Sequence, residues 1–202
     1  MRGKFITFEG VDGAGKSTHV EWFANELRSA GHAVLVTREP GGSQLAEKIR
    51  ELVLHESMDA VTETLLVFAA RDDHLKKHVY PALGTGTWVV CDRFTDATVA
   101  YQGGGKGVPI DLIEALREVV HPDLNPDCTL VFDCPYEISR ERMMKSRRAL
   151  DRFEREGQAF FERVRASYLG LAKSEPGRVR VIDSTETLDE IRANLRLLLS
   201  RL

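Results

Sequence analysis

Two rhythms of apolar and polar positions alternate along the chain. Five short runs are rich in apolar, β-branched and aromatic residues: Phe5–Phe8, Ala33–Val36, Trp88–Cys91, Thr129–Phe132 and Val179–Ile182. Nearly continuous apolar runs of this length fit strands covered on both faces. Between them apolar residues recur at helical spacing. Trp22, Phe23 and Leu27 follow the first run, and Leu45, Ile49, Leu52 and Val53 follow the second. Val61, Leu65 and Phe68, continued by Leu75 and Val79, predict one long helix before the third run. Ile110, Ile113, Leu116 and Val120 follow it, and Leu188, Ile191, Leu195 and Leu198 close the chain. Strands alternating with helices predict an α/β fold, a doubly wound five-stranded parallel sheet with right-handed crossovers. In such sheets ligands bind outside the carboxyl ends of the strands.

Composition narrows this picture modestly. The 202 residues carry 28 Lys+Arg against 31 Asp+Glu, a formal net charge of −3. That length and an apolar fraction of 43% fit one domain spanning residues 1–202 and exclude a disordered chain. The near balance of charge argues against a nucleic acid or membrane partner spread over the surface. The longest apolar run, Leu65–Ala70, is far below the roughly 18 residues of a membrane span, and the start lacks a signal-peptide apolar stretch. Cys91, Cys128 and Cys134 form no CxxC pair and read as buried apolar residues in a reducing compartment, which predicts a cytoplasmic location.

The chemistry begins directly after the first strand. Gly10, Val11, Asp12, Gly13, Ala14, Gly15, Lys16, Ser17 and Thr18 satisfy GxxxxGK[ST], with a strand before and a helix pattern after. Glycines let the backbone curl so that its N–H groups face phosphate oxygens, and the following helix adds its positive end. Lys16 is placed to reach the β- and γ-phosphates, and the Ser17 hydroxyl to ligate Mg²⁺. The motif predicts a nucleoside triphosphate site, with ATP as the co-substrate. There is no Asn-Lys-x-Asp for guanine recognition and no ABC-type signature, which leaves a compact phosphotransferase or an ATP-driven switch.

Other strand ends supply candidates for a second phosphate site. Arg38 follows the second strand, while Asp92 and Arg93 end the third, Asp92 suiting a water-mediated contact to the metal and Arg93 the phosphoryl group in flight. In chain order the phosphate loop, Arg38-Glu-Pro-Gly-Gly, Phe-Ala-Ala-Arg71, Asp92-Arg-Phe leading to Ala-Tyr-Gln102, and Leu150-Asp-Arg-Phe-Glu154 resemble bacterial thymidylate kinases. The resemblance runs from Phe5 to about Asp183. It implies transfer of the ATP γ-phosphate to dTMP, with Mg²⁺, in a homodimer. It further implies that Asp12 holds the sugar 3′-hydroxyl or organises phosphate and metal, and that Arg93 bridges the two phosphates. Arg71 would bond the thymine carbonyl, Thr98 and Gln102 would complete the base pocket, and Tyr101 would block a ribose 2′-hydroxyl. Related sequences often place a stacking phenylalanine four residues before the arginine, where this chain has Val67. Phe68 shares that helix face and is expected to stack on the base; the other reading leaves Phe68 in the core and the base on Val67.

Between Arg140 and Arg155 seven basic residues face three acids. A solvated helix face is one reading, and a nucleic-acid patch lacks interleaved aromatics. The third is a short basic helical lid, about residues 140–155, closing over ATP. The phosphate loop has Gly13 where some thymidylate kinases have arginine, and the resemblance then implies that lid arginines supply the charge. Arg147 and Arg148 are the expected pair, with Arg142 second; Asp151 and Glu154 match the acidic pair beside the lid. Two rival functions stay open at this stage: a kinase for AMP, GMP or CMP, and a non-catalytic ATP-binding switch.

Overall fold

The computed structural model describes residues 2–145 and 151–202. Every apolar run becomes a strand: β1 (Phe5–Gly10), β2 (Val34–Arg38), β3 (Trp88–Asp92), β4 (Cys128–Asp133) and β5 (Val179–Asp183). They form one all-parallel sheet in the order β2-β3-β1-β4-β5. The first strand is therefore central, with Phe8 in register with Asp92 of β3 and with Leu130 of β4. Successive strand residues face opposite ways, so both faces need cover. Ile6, Phe8 and Val90 pack with Phe23 and Leu27. Phe5, Val89 and Cys91 pack with Leu75, Val79 and Leu83 on the other side.

The expected helices are α1 (Lys16–Ser29), α2 (Gln44–His55), α3 (Ala60–His74), α6 (Ile110–Val120) and α9 (Leu188–Leu199). Their starts are chemically marked. Ser43 accepts from the Ala46 N–H, Asp59 from those of Val61 and Thr62, and Thr187 with Glu190 forms a reciprocal capping box. The long third helix is continuous in path but not uniform. After α3 it widens into a π-helical segment, Leu75–Val79, and resumes as α4 (Tyr80–Gly84).

Three helical stretches were not evident from apolar spacing: α5 (Thr95–Thr98) with its π-helical continuation Val99–Gly105, α7 (Tyr136–Lys145), and α8 (Gln158–Ser174). The glycines of 99–105 hide the second half of the first stretch, because glycine disfavours helix in isolation. Packing explains them. A Cβ on Gly105 would sit 2.5 Å from the Phe160 ring and one on Gly104 2.8 Å from Ser167, so α8 can lie this close only against glycine. All three cysteines are buried and unbridged. No described helix is long and apolar enough to cross a membrane.

Candidate active site at the carboxyl end of the sheet

The turn from β1 into α1 passes through the left-handed region at Gly10, Gly13 and Gly15, with φ of 126°, 75° and 88°. Side chains are also excluded sterically. A Cβ on Gly10 would approach the Phe132 carbonyl oxygen to 2.3 Å, and one on Gly13 the Ser139 carbonyl oxygen to 2.5 Å. Helix α1 starts without a side-chain cap, so its first N–H groups face the open cleft. The Lys16 ammonium lies across the loop, donating to the carbonyls of Gly10 (3.0 Å) and Val11 (2.9 Å). Burial, reinforced by the Arg93 charge, holds its pKa below the usual lysine value.

Arg93 joins this loop to β3. Its guanidinium donates to the Gly10 carbonyl (2.9 Å), to Asp12 Oδ1 (2.5 Å) and to the Tyr101 hydroxyl (3.0 Å), which in turn donates to Asp12 Oδ2 (2.9 Å). Burial alone would raise the Asp12 carboxyl, but Arg93, Lys16 and these hydrogen bonds outweigh it and hold the pKa low. Arg93 has φ 74°, the only positive φ of a non-glycine among the described residues. That conformation costs roughly 1–2 kcal/mol. It is clamped by the Arg93 N–H on the Phe8 carbonyl (2.9 Å) and the Phe94 N–H on Glu9 Oε1 (2.7 Å). The strain turns the guanidinium back over the phosphate loop.

Arg71 is 1% exposed. Its Nε donates to Glu39 Oε2 (2.7 Å) and its Nη2 to Thr98 Oγ1 (3.1 Å), while Nη1 has no partner among the described residues. The rings of Phe68 and Phe94 lie 4.7 and 5.1 Å from the guanidinium carbon. His74 holds the other Glu39 oxygen at 2.9 Å. Burial favours a raised Glu39 pKa, but Arg71 and then His74 outweigh it and lower it.

Two cavities meet here. One is lined by Arg71, Thr98, Gln102, Tyr101, Phe94 and Val67. The other, wider, runs over Gly13–His19 to Arg142 and Ser184. Asp12, Arg50, Arg93 and Asp151 line both. Asp12, Arg71, Arg93, Thr98, Tyr101 and Gln102 are thus brought together around the smaller cavity. Phe68 is not: it is 2% exposed and packs against Val108 and Ile113, behind Arg71. The alternative wall, Val67, lines the cavity with Phe94 opposite the sequence expectation for Phe68. Positions i−3 and i−4 share a helix face but not a direction, and α6 claims the Phe68 side. Arg38 also stands apart, exposed and paired with Glu47 at 2.9 Å.

Arg50 on α2 was passed over in the sequence, where it reads as one more exposed helix cation. It donates to the Pro40 carbonyl (2.9 Å), and burial followed by the neighbouring Arg38 charge lowers its pKa. An anion at the cavity junction would relieve both. Asp92 Oδ1 is buried without a partner among the described residues. Arg142 grips the Ser184 hydroxyl and carbonyl at 3.0 and 2.8 Å, on the far wall of the larger cavity. Asp151 accepts from the Phe153 and Glu154 N–H groups, and Glu154 accepts from that of Asp151, so the acidic pair closes a turn on itself. Burial pushes the Asp151 carboxyl up. Arg147 and Arg148 lie outside the described residues.

Comparison with known proteins identifies the family of the chain. The family model described as thymidylate kinase matches residues 8–195. The chain is 57% identical to the thymidylate kinase of Bordetella pertussis over 194 residues, covering 96% of this chain and 93% of that one. It is 52% identical to that of Cupriavidus metallidurans over 202 residues, the whole of both chains. Among solved structures it is similar to thymidylate kinase from Ehrlichia chaffeensis, with TM-score 0.79 and 32% identity over 98% of this chain and 99% of that one.

Proposed function

The chain belongs to the thymidylate kinase family, and from that premise we propose how its cleft performs the reaction, ATP + dTMP → ADP + dTDP. The observation that carries the assignment is that Asp12, Arg50 and Arg93 line both cavities at their junction. A phosphoryl group passing between two nucleotides must cross such a point.

ATP lays its phosphates along Gly10–Thr18, whose N–H groups and α1 terminus neutralise them. Lys16 exchanges its two carbonyl partners for phosphate oxygens. The thymidylate enters the smaller cavity with its phosphate toward Arg50 and Arg93. Its base meets Arg71, whose Nη1 is the unused donor, with Thr98 and Gln102 on the same edge and Phe94 and Val67 as apolar walls. Asp12 takes the sugar 3′-hydroxyl, and the Tyr101 ring crowds the 2′ position. Phosphoryl transfer is mostly positioning and charge neutralisation, and Arg93 supplies both between donor and acceptor. Mg²⁺ fits the donor set: the Ser17 hydroxyl and Asp92, with its buried unpartnered oxygen, are hard oxygen ligands. When bound, the ion neutralises charge on the β- and γ-phosphates.

The same proposal takes residues 1–202 as one cytoplasmic domain with a lid at about 140–155, whose Arg147 and Arg148 add positive charge. It takes the assembly as a homodimer, supported by the exposed apolar residues Leu52, Val61 and Leu65 on α2 and α3. Release of ADP with a panel of monophosphates tests the acceptor assignment. The expected result is that dTMP is used far faster than AMP, GMP or CMP; preference for any of these over dTMP would overturn it.

A further inference from the structure

Glu63 on α3 is fully buried, and three side chains from two other segments end on its carboxylate. Gln102 donates its Nε2 to Oε1 at 2.8 Å. Lys106 donates to Oε2 at 2.7 Å, and Arg152 ends on the same oxygen while its guanidinium also reaches the Val53 carbonyl at 2.8 Å. Both carboxylate oxygens accept here, Oε1 from the Gln102 amide and Oε2 from two cationic groups.

That fixes the Gln102 amide. Its NH₂ group must turn toward Glu63, so its carbonyl oxygen is turned away from it. That oxygen has no partner among the described residues, and Gln102 lines the acceptor cavity. Nearby, Arg71 Nη1 is a donor without a partner. The cavity therefore offers one fixed donor and one fixed acceptor. A base with a carbonyl beside an N–H, as at O4 and N3 of thymine or uracil, satisfies both. Cytosine carries the reverse pair, an amino group beside a bare ring nitrogen.

We propose that Glu63 is the positioning residue that sets base specificity, by holding the Gln102 amide with its carbonyl toward the substrate. This rests on the acceptor-pocket reading above and deepens it. Glu63 touches no substrate; it acts through Gln102.

The amide variant makes a sharp case. In Glu63→Gln the new carbonyl is drawn to Lys106 and Arg152, which leaves its NH₂ facing Gln102. Gln102 must then reverse and show its own NH₂ to the cavity. The expected result is a rise of about tenfold or more in the KM for dTMP, with the KM for ATP unchanged. The dTMP:dCMP ratio of kcat/KM should narrow by at least about tenfold. The swap Glu63→Gln with Gln102→Glu restores an accepting oxygen on the cavity side and should recover the preference for dTMP. It also serves if the single variant folds poorly.

Gln102→Leu separates the two levels of the argument. If it leaves the dTMP:dCMP ratio intact, the pocket reading fails and the proposal with it. If it collapses the ratio while Glu63→Gln lowers only the melting temperature, Glu63 is a structural residue and the proposal alone is overturned. A swap variant that retains the collapsed ratio overturns it as well.

Discussion

The proposed phosphate-binding side of the cleft is built from nine consecutive residues, Gly10 to Thr18, whereas the proposed acceptor side draws Glu39, Arg71, and the pair Thr98 and Gln102 from three segments of the chain. The first side works with backbone N–H groups and one lysine. The second works with side chains, each held by another: Arg71 by Glu39, Glu39 by His74, and Gln102 by Glu63. The difference follows from what is bound. A chain of phosphates is the same in every nucleotide, so a curled backbone and a helix terminus suffice. A base is told from its relatives by the direction of a few hydrogen bonds, and direction requires supported side chains.

Arg93 belongs to both sides, and removing it should have the largest effect. Arg93→Ala is expected to lower kcat roughly a thousandfold. Lys16→Ala, confined to the donor side, should lower kcat while leaving dTMP binding nearly intact. Near-normal turnover in Arg93→Ala would take that residue out of the reaction and separate the two sides.

The acceptor side should also be the acid-sensitive one. His121, buried against Phe94, bonds Thr95 Oγ1 and the Leu124 carbonyl. Burial, then the Arg71 charge, lowers its pKa from 6.5 to about 4. A depressed histidine stabilises the fold above its unfolded pKa, and that contribution is lost as pH falls through the folded value. Between pH 6.5 and 4 the loss amounts to about 3 kcal/mol. Thermal melts of the protein and of His121→Gln should therefore diverge on acidification, with the parent falling faster. Parallel curves would show that the histidine does not make this wall acid-sensitive.

Arg71→Ala should raise the KM for dTMP about a hundredfold and change kcat much less. It should also lower the melting temperature by several degrees, because Glu39 keeps only His74 as a partner. A change confined to kcat would move Arg71 to the reacting end of the cavity. The smallest shift is expected from Tyr101→Ala, which should raise the use of the ribonucleotide relative to dTMP about tenfold. An unchanged ratio would sink the steric role and leave Tyr101 as the partner that steadies Asp12 and Arg93.

The sequence by itself determined the parallel sheet, the phosphate loop and the family. Strand runs, capping residues such as Ser43 and Thr187, and the spacing Gly10 to Thr18 act between neighbours, so they are readable in order along the chain. The resemblance also named most of the residues proposed for the acceptor side, though not what holds them. Only the tertiary structure decided which side of α3 faces the cavity, placing Val67 there and Phe68 against α6. It alone brought Arg50 to the junction of the two cavities, set α8 against Gly104 and Gly105, and joined Glu63 to Gln102, Lys106 and Arg152. These choices depend on pairing across tens of residues, where a side chain's meaning comes from what stands opposite it. A helix cation such as Arg50 and a helix carboxylate such as Glu63 look alike in sequence whether they face water or a buried partner. Burial removes the competing water, and with it the freedom that keeps such residues interchangeable on a surface.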